Sequence, residues 1–92
     1  MKNQNNRKAL NIIYKVKTKK LTKIALSNLE LEEIPVELFE LDTLTHVWLD
    51  NNKLKNIPSE IKKLKKLTHN WLGNNNLECL PDELINSNVL IN

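Results

Sequence analysis

Apolar residues recur along most of this chain at a fixed interval. The stretch LTHVWLDNNKL at residues 44–54 returns as LTHNWLGNNNL at residues 67–77, and a weaker version, LTKIALSNLEL, occupies residues 21–31. Each stretch is followed by a similar tail that contains a proline, so three copies of a 23-residue unit run without a gap. A period of this length predicts a stack of equivalent units, each burying its apolar side against the next.

Within each copy, the spacing of apolar positions predicts local structure. Val47 and Leu49 flank Trp48, and this alternation of inward and outward positions indicates a short strand. Asn52 and Asn75 follow the strands, where an amide side chain can bond backbone groups at a corner of the chain. The proline then suits the start of a short helical or extended return segment. One further inward residue comes from each return segment: Leu38, Ile61 and Leu84.

Residues 1–20 do not share this period. From about Asn6 to Val16 the apolar residues fall at helical spacing, which favours a basic amphipathic helix that covers one end of the stack. The polar residues before Asn6 are expected to be frayed. The alternation in residues 12–18 leaves a strand as the other interpretation, and a basic amphipathic helix can also lie on a membrane surface.

Charge is divided unevenly between two parts of the chain. The protein has 14 Lys and Arg residues against 11 Asp and Glu residues, a net charge of +3. Residues 1–20 contain seven of the basic residues and no acidic one, giving +7, so residues 21–92 carry seven basic and 11 acidic residues, giving −4. The basic balance therefore belongs to the N-terminal segment and does not by itself indicate nucleic-acid binding.

Cysteine content and hydropathy exclude several classes of protein. The single cysteine, Cys79, rules out an internal disulfide framework and forms no zinc-binding pattern. No apolar run after the basic N-terminus reaches the roughly 7–15 residues of a secretory signal, and none reaches the roughly 18 needed to span a membrane. We therefore expect a cytoplasmic protein.

The repeat resembles the 23-residue type of the leucine-rich repeat family, whose pattern is LxxLxLxxNxLxxIPxxIxxLxx. Residues 21–43, 44–66 and 67–89 follow this pattern in register, between an N-terminal segment at 1–20 and the start of an incomplete fourth repeat at 90–92. The resemblance implies an α/β solenoid with a short parallel sheet on its concave side and an N-terminal capping helix, similar to cytoplasmic bacterial-type members. Because members of the family mostly bind proteins, it also implies a protein-interaction scaffold.

Two positions depart from the repeat pattern. Leu29 stands where the second and third copies have asparagine, at the border with the N-terminal segment. Asn70 replaces an aliphatic residue at an inward strand position, and a buried amide without partners costs about 1–3 kcal/mol. Asn70 is either a tolerated defect, bonded to backbone or water near the end of the array, or a polar contact across an interface.

No C-terminal cap follows the third copy. Leu72, Leu77, Leu80 and Leu84 would therefore lack a neighbour, and the third strand would be an unpaired edge. We expect either that the chain is a fragment of a longer array or that this end is covered by self-association.

The outward strand positions are candidates for a binding surface. Adjacent parallel strands lie about 4.8 Å apart, so Trp48 should stand beside Trp71 and His46 beside His69. Exposed tryptophan is enriched at binding hot spots, whereas two tryptophans can also simply stack and protect each other on a sheet. The candidate partner-binding residues are Lys23, His46, Trp48, Asp50, Asn51, His69, Trp71 and Asn74.

The paired histidines allow two further interpretations. They could share a zinc ion if Asp50 or a partner supplied a third ligand, but we expect no metal and no cofactor. Neighbouring histidines resist double protonation, so protonation of these histidines at about pH 6 should weaken a partner contact. No nucleophile is paired with a base, and the acidic residues of the first copy are spread as a solvated face, so we expect no enzymatic activity.

The first hypothesis is a non-catalytic module that binds a protein or peptide on the concave sheet face. The alternatives are a structural capping fragment of a longer repeat array and a weak polyanion binder acting through residues 2–20. A nucleic-acid site would combine basic residues with stacking aromatics. Nucleic acid is not expected, because four lysines of the second copy fall on the side opposite the tryptophans: Lys62, Lys63, Lys65 and Lys66.

Overall fold

The computed structural model describes residues 2–82 and 90–91 and shows a small α/β domain with one parallel sheet. Helix α1 (Lys2–Lys19) comes first. The strands follow as β1 (Lys23–Ala25), β2 (His46–Trp48), β3 (His69–Trp71) and β4 (Leu90–Ile91), and they lie in the sheet in chain order. Short 3-10 helices at Val36–Glu40 and Ser59–Lys63 form the return segments after β1 and β2.

The N-terminal segment is a helix, which confirms the helical interpretation over the strand. Ala9, Ile13 and Val16 form its buried face. The helix begins at Lys2, within residues 1–6, which are expected to be frayed, and so it starts earlier than the predicted Asn6. No proline or glycine interrupts these residues, and extending a helix that is already nucleated costs little. No helix in the described residues is long and apolar enough to cross a membrane.

Strands β1, β2 and β3 pair in parallel at the 23-residue interval of the sequence. The register places Ile24 opposite Val47, and Val47 opposite Asn70. Strand β4 pairs with β3, with Leu90 opposite His69, so the expectation that the third strand is an unpaired edge is wrong. Leu90 comes 21 residues after His69 and not 23, so β4 continues the backbone hydrogen bonding of the sheet outside the register of the repeat.

The apolar core runs through the stack as one continuous cluster. Inward strand residues Val47 and Leu49 are fully buried, and the return segments add Leu38 and Ile61 as predicted. Leu84, the inward residue predicted for the third return segment, lies outside the described part of the chain.

Asparagine side chains tie one copy to the copy before it. Asn52 Oδ1 accepts hydrogen bonds from the backbone N–H groups of Leu29 (3.1 Å) and Leu31 (3.0 Å) in the first copy. Asn75 Oδ1 likewise accepts from the N–H of Leu54 (2.9 Å) in the second copy. This confirms the predicted role of both asparagines. It also explains Leu29, because the first copy has no preceding copy for an asparagine to bond, and Leu29 packs against the core instead.

Asn70 is fully buried, with 0% of its surface exposed. Neither its Nδ2 nor its Oδ1 atom has a hydrogen-bond partner among the described residues. The predicted bond to backbone is therefore not present within that part of the chain.

Candidate functional site

The outward side chains of β2 and β3 form two stacked pairs of rings. The His46 and His69 centroids lie 4.5 Å apart with an angle of 6° between the ring planes. Those of Trp48 and Trp71 lie 4.4 Å apart with an angle of 4°. Both pairings were predicted, and they arise because the register sets each residue opposite its counterpart one copy later.

The two pairs join into one surface, which we call the aromatic cluster: His46, Trp48, His69 and Trp71. Along each strand, the histidine and tryptophan centroids are 6.0 Å apart on β2 and 5.6 Å apart on β3. All four side chains are half-buried. Because the rings come from equivalent positions, they stack across the strands, and each ring covers one face of its counterpart.

Threonines orient both histidines. Thr45 Oγ1 lies 2.7 Å from His46 Nδ1, and Thr68 Oγ1 lies 2.9 Å from His69 Nδ1. The same hydroxyls lie 3.2 Å and 3.1 Å from the backbone carbonyl oxygens of Thr22 and Thr45. Nδ1 of each ring thus faces its own strand, and Nε2 is the nitrogen left for a partner. The sequence pattern did not predict this contact, although each copy has threonine at its second position.

The environment of His46 favours its neutral form. The pKa of His46 is lowered first by desolvation, then by repulsion from His69 and then by repulsion from Lys23. This supports the expectation that the paired histidines resist double protonation. The effect of protonation on a partner contact stays a prediction.

The stacked histidines are poorly arranged to share a metal ion. Lone pairs of imidazole lie in the ring plane, and nearly parallel planes do not converge on one ion at the roughly 2.0–2.1 Å that zinc requires. Across the described residues there is no group of three or more His, Cys, Asp or Glu side chains that could hold a metal. Cys79 is exposed and free.

A polar row borders the aromatic cluster where the strands end, and we define it as Ser27, Asp50, Asn51 and Asn74. Ser27 Oγ donates to Asp50 Oδ1 (2.6 Å), Asn51 Nδ2 donates to Asp50 Oδ2 (3.2 Å), and Asn74 Nδ2 donates to Asn51 Oδ1 (2.7 Å). Asn51 and Asn74 have φ angles of 58° and 56°, in the left-handed region that asparagine tolerates. The turn itself therefore accounts for these two asparagines, and Asp50 carries the charge of the row.

Strand β1 completes this side of the sheet. Lys23 lies opposite His46 and Ala25 lies opposite Trp48, and both β1 side chains are exposed. The strands alternate between outward and buried positions, so Lys23 and the aromatic cluster share one face, with the polar row at its edge. The eight predicted site residues are therefore brought together. Ala25, Ser27, Thr45 and Thr68 also belong to this surface.

Comparison of the sequence with protein-family models and with curated proteins finds no match.

Proposed function

We propose that this chain is a leucine-rich repeat module that binds a protein or peptide partner and has no catalytic activity. The observation that carries the proposal is the aromatic cluster. Two tryptophans and two histidines are held outside the core in fixed, stacked positions. Ordered aromatic side chains lose little conformational entropy on binding, and tryptophan is among the residues most enriched at binding hot spots.

The family assignment is supported by the repeat geometry. Three strands pair at a 23-residue interval, asparagines join successive copies, and 3-10 helices follow the prolines of the first two copies. Each feature occupies the position that the leucine-rich repeat pattern assigns to it. We infer a cytoplasmic solenoid whose concave side carries the aromatic cluster.

The charges around the cluster suit a partner surface with an apolar centre. Lys23 lies beside His46 at one end, and Asp50 lies beyond Trp48 at the other. An apolar centre with a polar rim is the usual anatomy of a protein interface. The partner would therefore bury its main contact over Trp48 and Trp71.

The test compares capture of a partner from host lysate by the intact protein and by a Trp48→Ala/Trp71→Ala double variant. Tyr14→Ala is the matched control, because Tyr14 is an aromatic residue on α1 with 69% of its surface exposed. Circular dichroism establishes that each variant is folded. We expect a partner that is retained by the intact protein and by the control but lost by the double variant. Retention by a folded double variant would reject the aromatic cluster as the binding surface.

A second candidate function is polyanion binding by α1, which is supported by the exposed basic side chains on this helix. The helix contains no acidic residue, and its exposed positions include Arg7, Lys8, Lys15 and Lys19. Polyanion binding through these residues would weaken steeply with salt, because bound counterions are released. Retention on a heparin column that falls with salt, and that Lys8→Glu/Lys15→Glu removes, would support it. Retention unaffected by salt would count against it.

A further inference from the structure

The stack of rings stops at β1. The register that aligns Trp71 with Trp48 continues to Ala25, whose side chain is a single exposed methyl group. Trp48 is covered by Trp71 on one face, and its other face is directed towards the space above Ala25. We call this space the Ala25 gap. Because the tryptophan centroids are 4.4 Å apart, a flat group in the gap at the same spacing would contact Trp48 directly.

The two ends of the gap carry opposite charges. At one end, Asp50 is drawn towards the first copy by the hydrogen bond from Ser27 Oγ to its Oδ1. At the other end, Lys23 lies opposite His46. Each Asp50 oxygen accepts one hydrogen bond from its neighbours, and an ionised carboxylate has about four acceptor sites, so Asp50 can accept further donors.

We propose that the Ala25 gap is a subsite for an arginine side chain of the protein partner. The guanidinium would stack on the free face of Trp48 and donate hydrogen bonds to Asp50. This proposal rests on the proposed function, since it names one group of the partner that the aromatic cluster binds.

Arginine fits this subsite because it is both flat and positively charged. A guanidinium stacks on an indole face through cation–π attraction, and its N–H groups match the spacing of carboxylate oxygens. The lysine ammonium is not planar and cannot stack on the indole in the same way, and phenylalanine has no hydrogen-bond donor for Asp50. Lys23 opposes the cation at its own end of the gap, so the guanidinium is directed to the Asp50 end.

The first experiment uses N-acetyl-arginine amide as the probe, titrated into the full chain to millimolar concentrations. The two indole N–H resonances report on Trp48 and Trp71 separately, and Trp71→Phe assigns them. We expect saturable shifts that are larger at Trp48. The citrulline analogue has a planar side-chain group without the positive charge, and the lysine analogue has the positive charge without a planar group. Both should bind several-fold more weakly.

Three variants then test the position and the charge of the subsite. Ala25→Trp fills the gap and should abolish the shift at Trp48. Asp50→Asn should weaken binding about two- to fivefold, as for an exposed ion pair, while Lys23→Gln should tighten it. Lys55→Gln is the matched control, because Lys55 is exposed and lies outside the polar row and the aromatic cluster, and it should leave affinity unchanged.

Equal shifts at both tryptophans, or weaker binding in Lys23→Gln, would overturn the proposal. If Ala25→Trp does not fold, the opposite signs expected for Asp50→Asn and Lys23→Gln still decide the question. If the arginine probe does not bind as expected but partner capture still depends on Trp48 and Trp71, the arginine subsite alone would be rejected. Capture independent of the tryptophans would reject the proposed function itself.

Discussion

The second and third copies have the same types of residue at several equivalent positions, but these residues differ in burial. In the second copy, Asn52, Leu54 and Ile57 are all buried, whereas their counterparts Asn75, Leu77 and Leu80 are half-buried. The second copy packs between the first copy and the third, while the described neighbour on the far side of the third is the two-residue strand β4. A repeat residue therefore contributes stability according to its neighbours and not according to its identity alone.

The two copies also differ at two positions that affect packing and the binding surface. Val47 becomes Asn70 in the core, and Asp50 becomes Gly73 at the end of the strand. Each ring pair has one member on β2 and one on β3, but Asp50, the charged residue of the polar row, belongs to the second copy only. The surface is thus asymmetric, and its charged edge faces β1.

The largest expected difference between the copies is the effect of removing each asparagine. Asn52→Ala leaves the N–H of Leu31 buried without its partner and also removes bonds to the carbonyl oxygens of Leu26 and Leu49. We expect the free energy of unfolding to fall by about 3 kcal/mol. Asn75→Ala, at a half-buried position, should cost about 1 kcal/mol. Urea denaturation measures both, and equal losses would contradict the dependence on neighbours.

The next effect concerns the buried amide of the third copy. Asn70→Val restores the residue that the second copy has at this position and removes two polar atoms that are buried without partners among the described residues. We expect a gain in unfolding free energy of about 1–2 kcal/mol. Val47→Asn, the reverse change, should destabilise the protein. A loss of stability in Asn70→Val would mean that the amide makes a favourable contact.

Gly73→Ala should have a smaller effect. A methyl group added at Gly73 meets no atom within 4 Å, and the backbone φ is not positive there. Replacing glycine by alanine restricts the unfolded chain, so we expect a gain of about 0.4–1 kcal/mol in urea denaturation. A destabilised Gly73→Ala variant would show that the backbone after β3 needs glycine.

The smallest expected effect is a dependence of stability on pH. The folded state lowers the pKa of His46 below its ordinary value of 6.5, so folding favours neutral His46. Its contribution is fully present above about pH 6.5 and is lost as the pH falls through the lowered pKa. Thermal unfolding between about pH 7.5 and 5 should show this loss, and His46→Gln should reduce it.

A second prediction about pH concerns the repulsion between His46 on β2 and His69 on β3. His69→Gln removes the repulsion from His69 and should raise the pKa of His46 towards its ordinary value. The pKa should not reach that value, because desolvation is the larger cause of the shift. An NMR titration of the His46 ring measures this. An unchanged pKa would show that the ring stack does not couple the two histidines.

Much of the candidate binding surface could be predicted from the 23-residue period alone. In a parallel sheet with a 23-residue register, residues 23 apart in sequence become neighbours, so the pairs His46–His69 and Trp48–Trp71 could be predicted. The start of α1 and the pairing of β4 could not be predicted in this way. The first depends on how far the helix extends towards the N-terminus, and the second on how Leu90 and Ile91 form hydrogen bonds with β3. The hydrogen bond between Ser27 and Asp50 also escaped prediction, since it depends on side-chain rotamers beyond the strands.

The sequence by itself determined the repeat interval, the inward and outward positions, and the residues that stand side by side on the sheet. The physical reason is that alternation and register translate sequence position directly into geometry. Only the tertiary structure decided where the Asp50 carboxylate is held and how deeply each copy is buried. These properties depend on contacts between copies, and the same residues acquire different surroundings on β2 and β3.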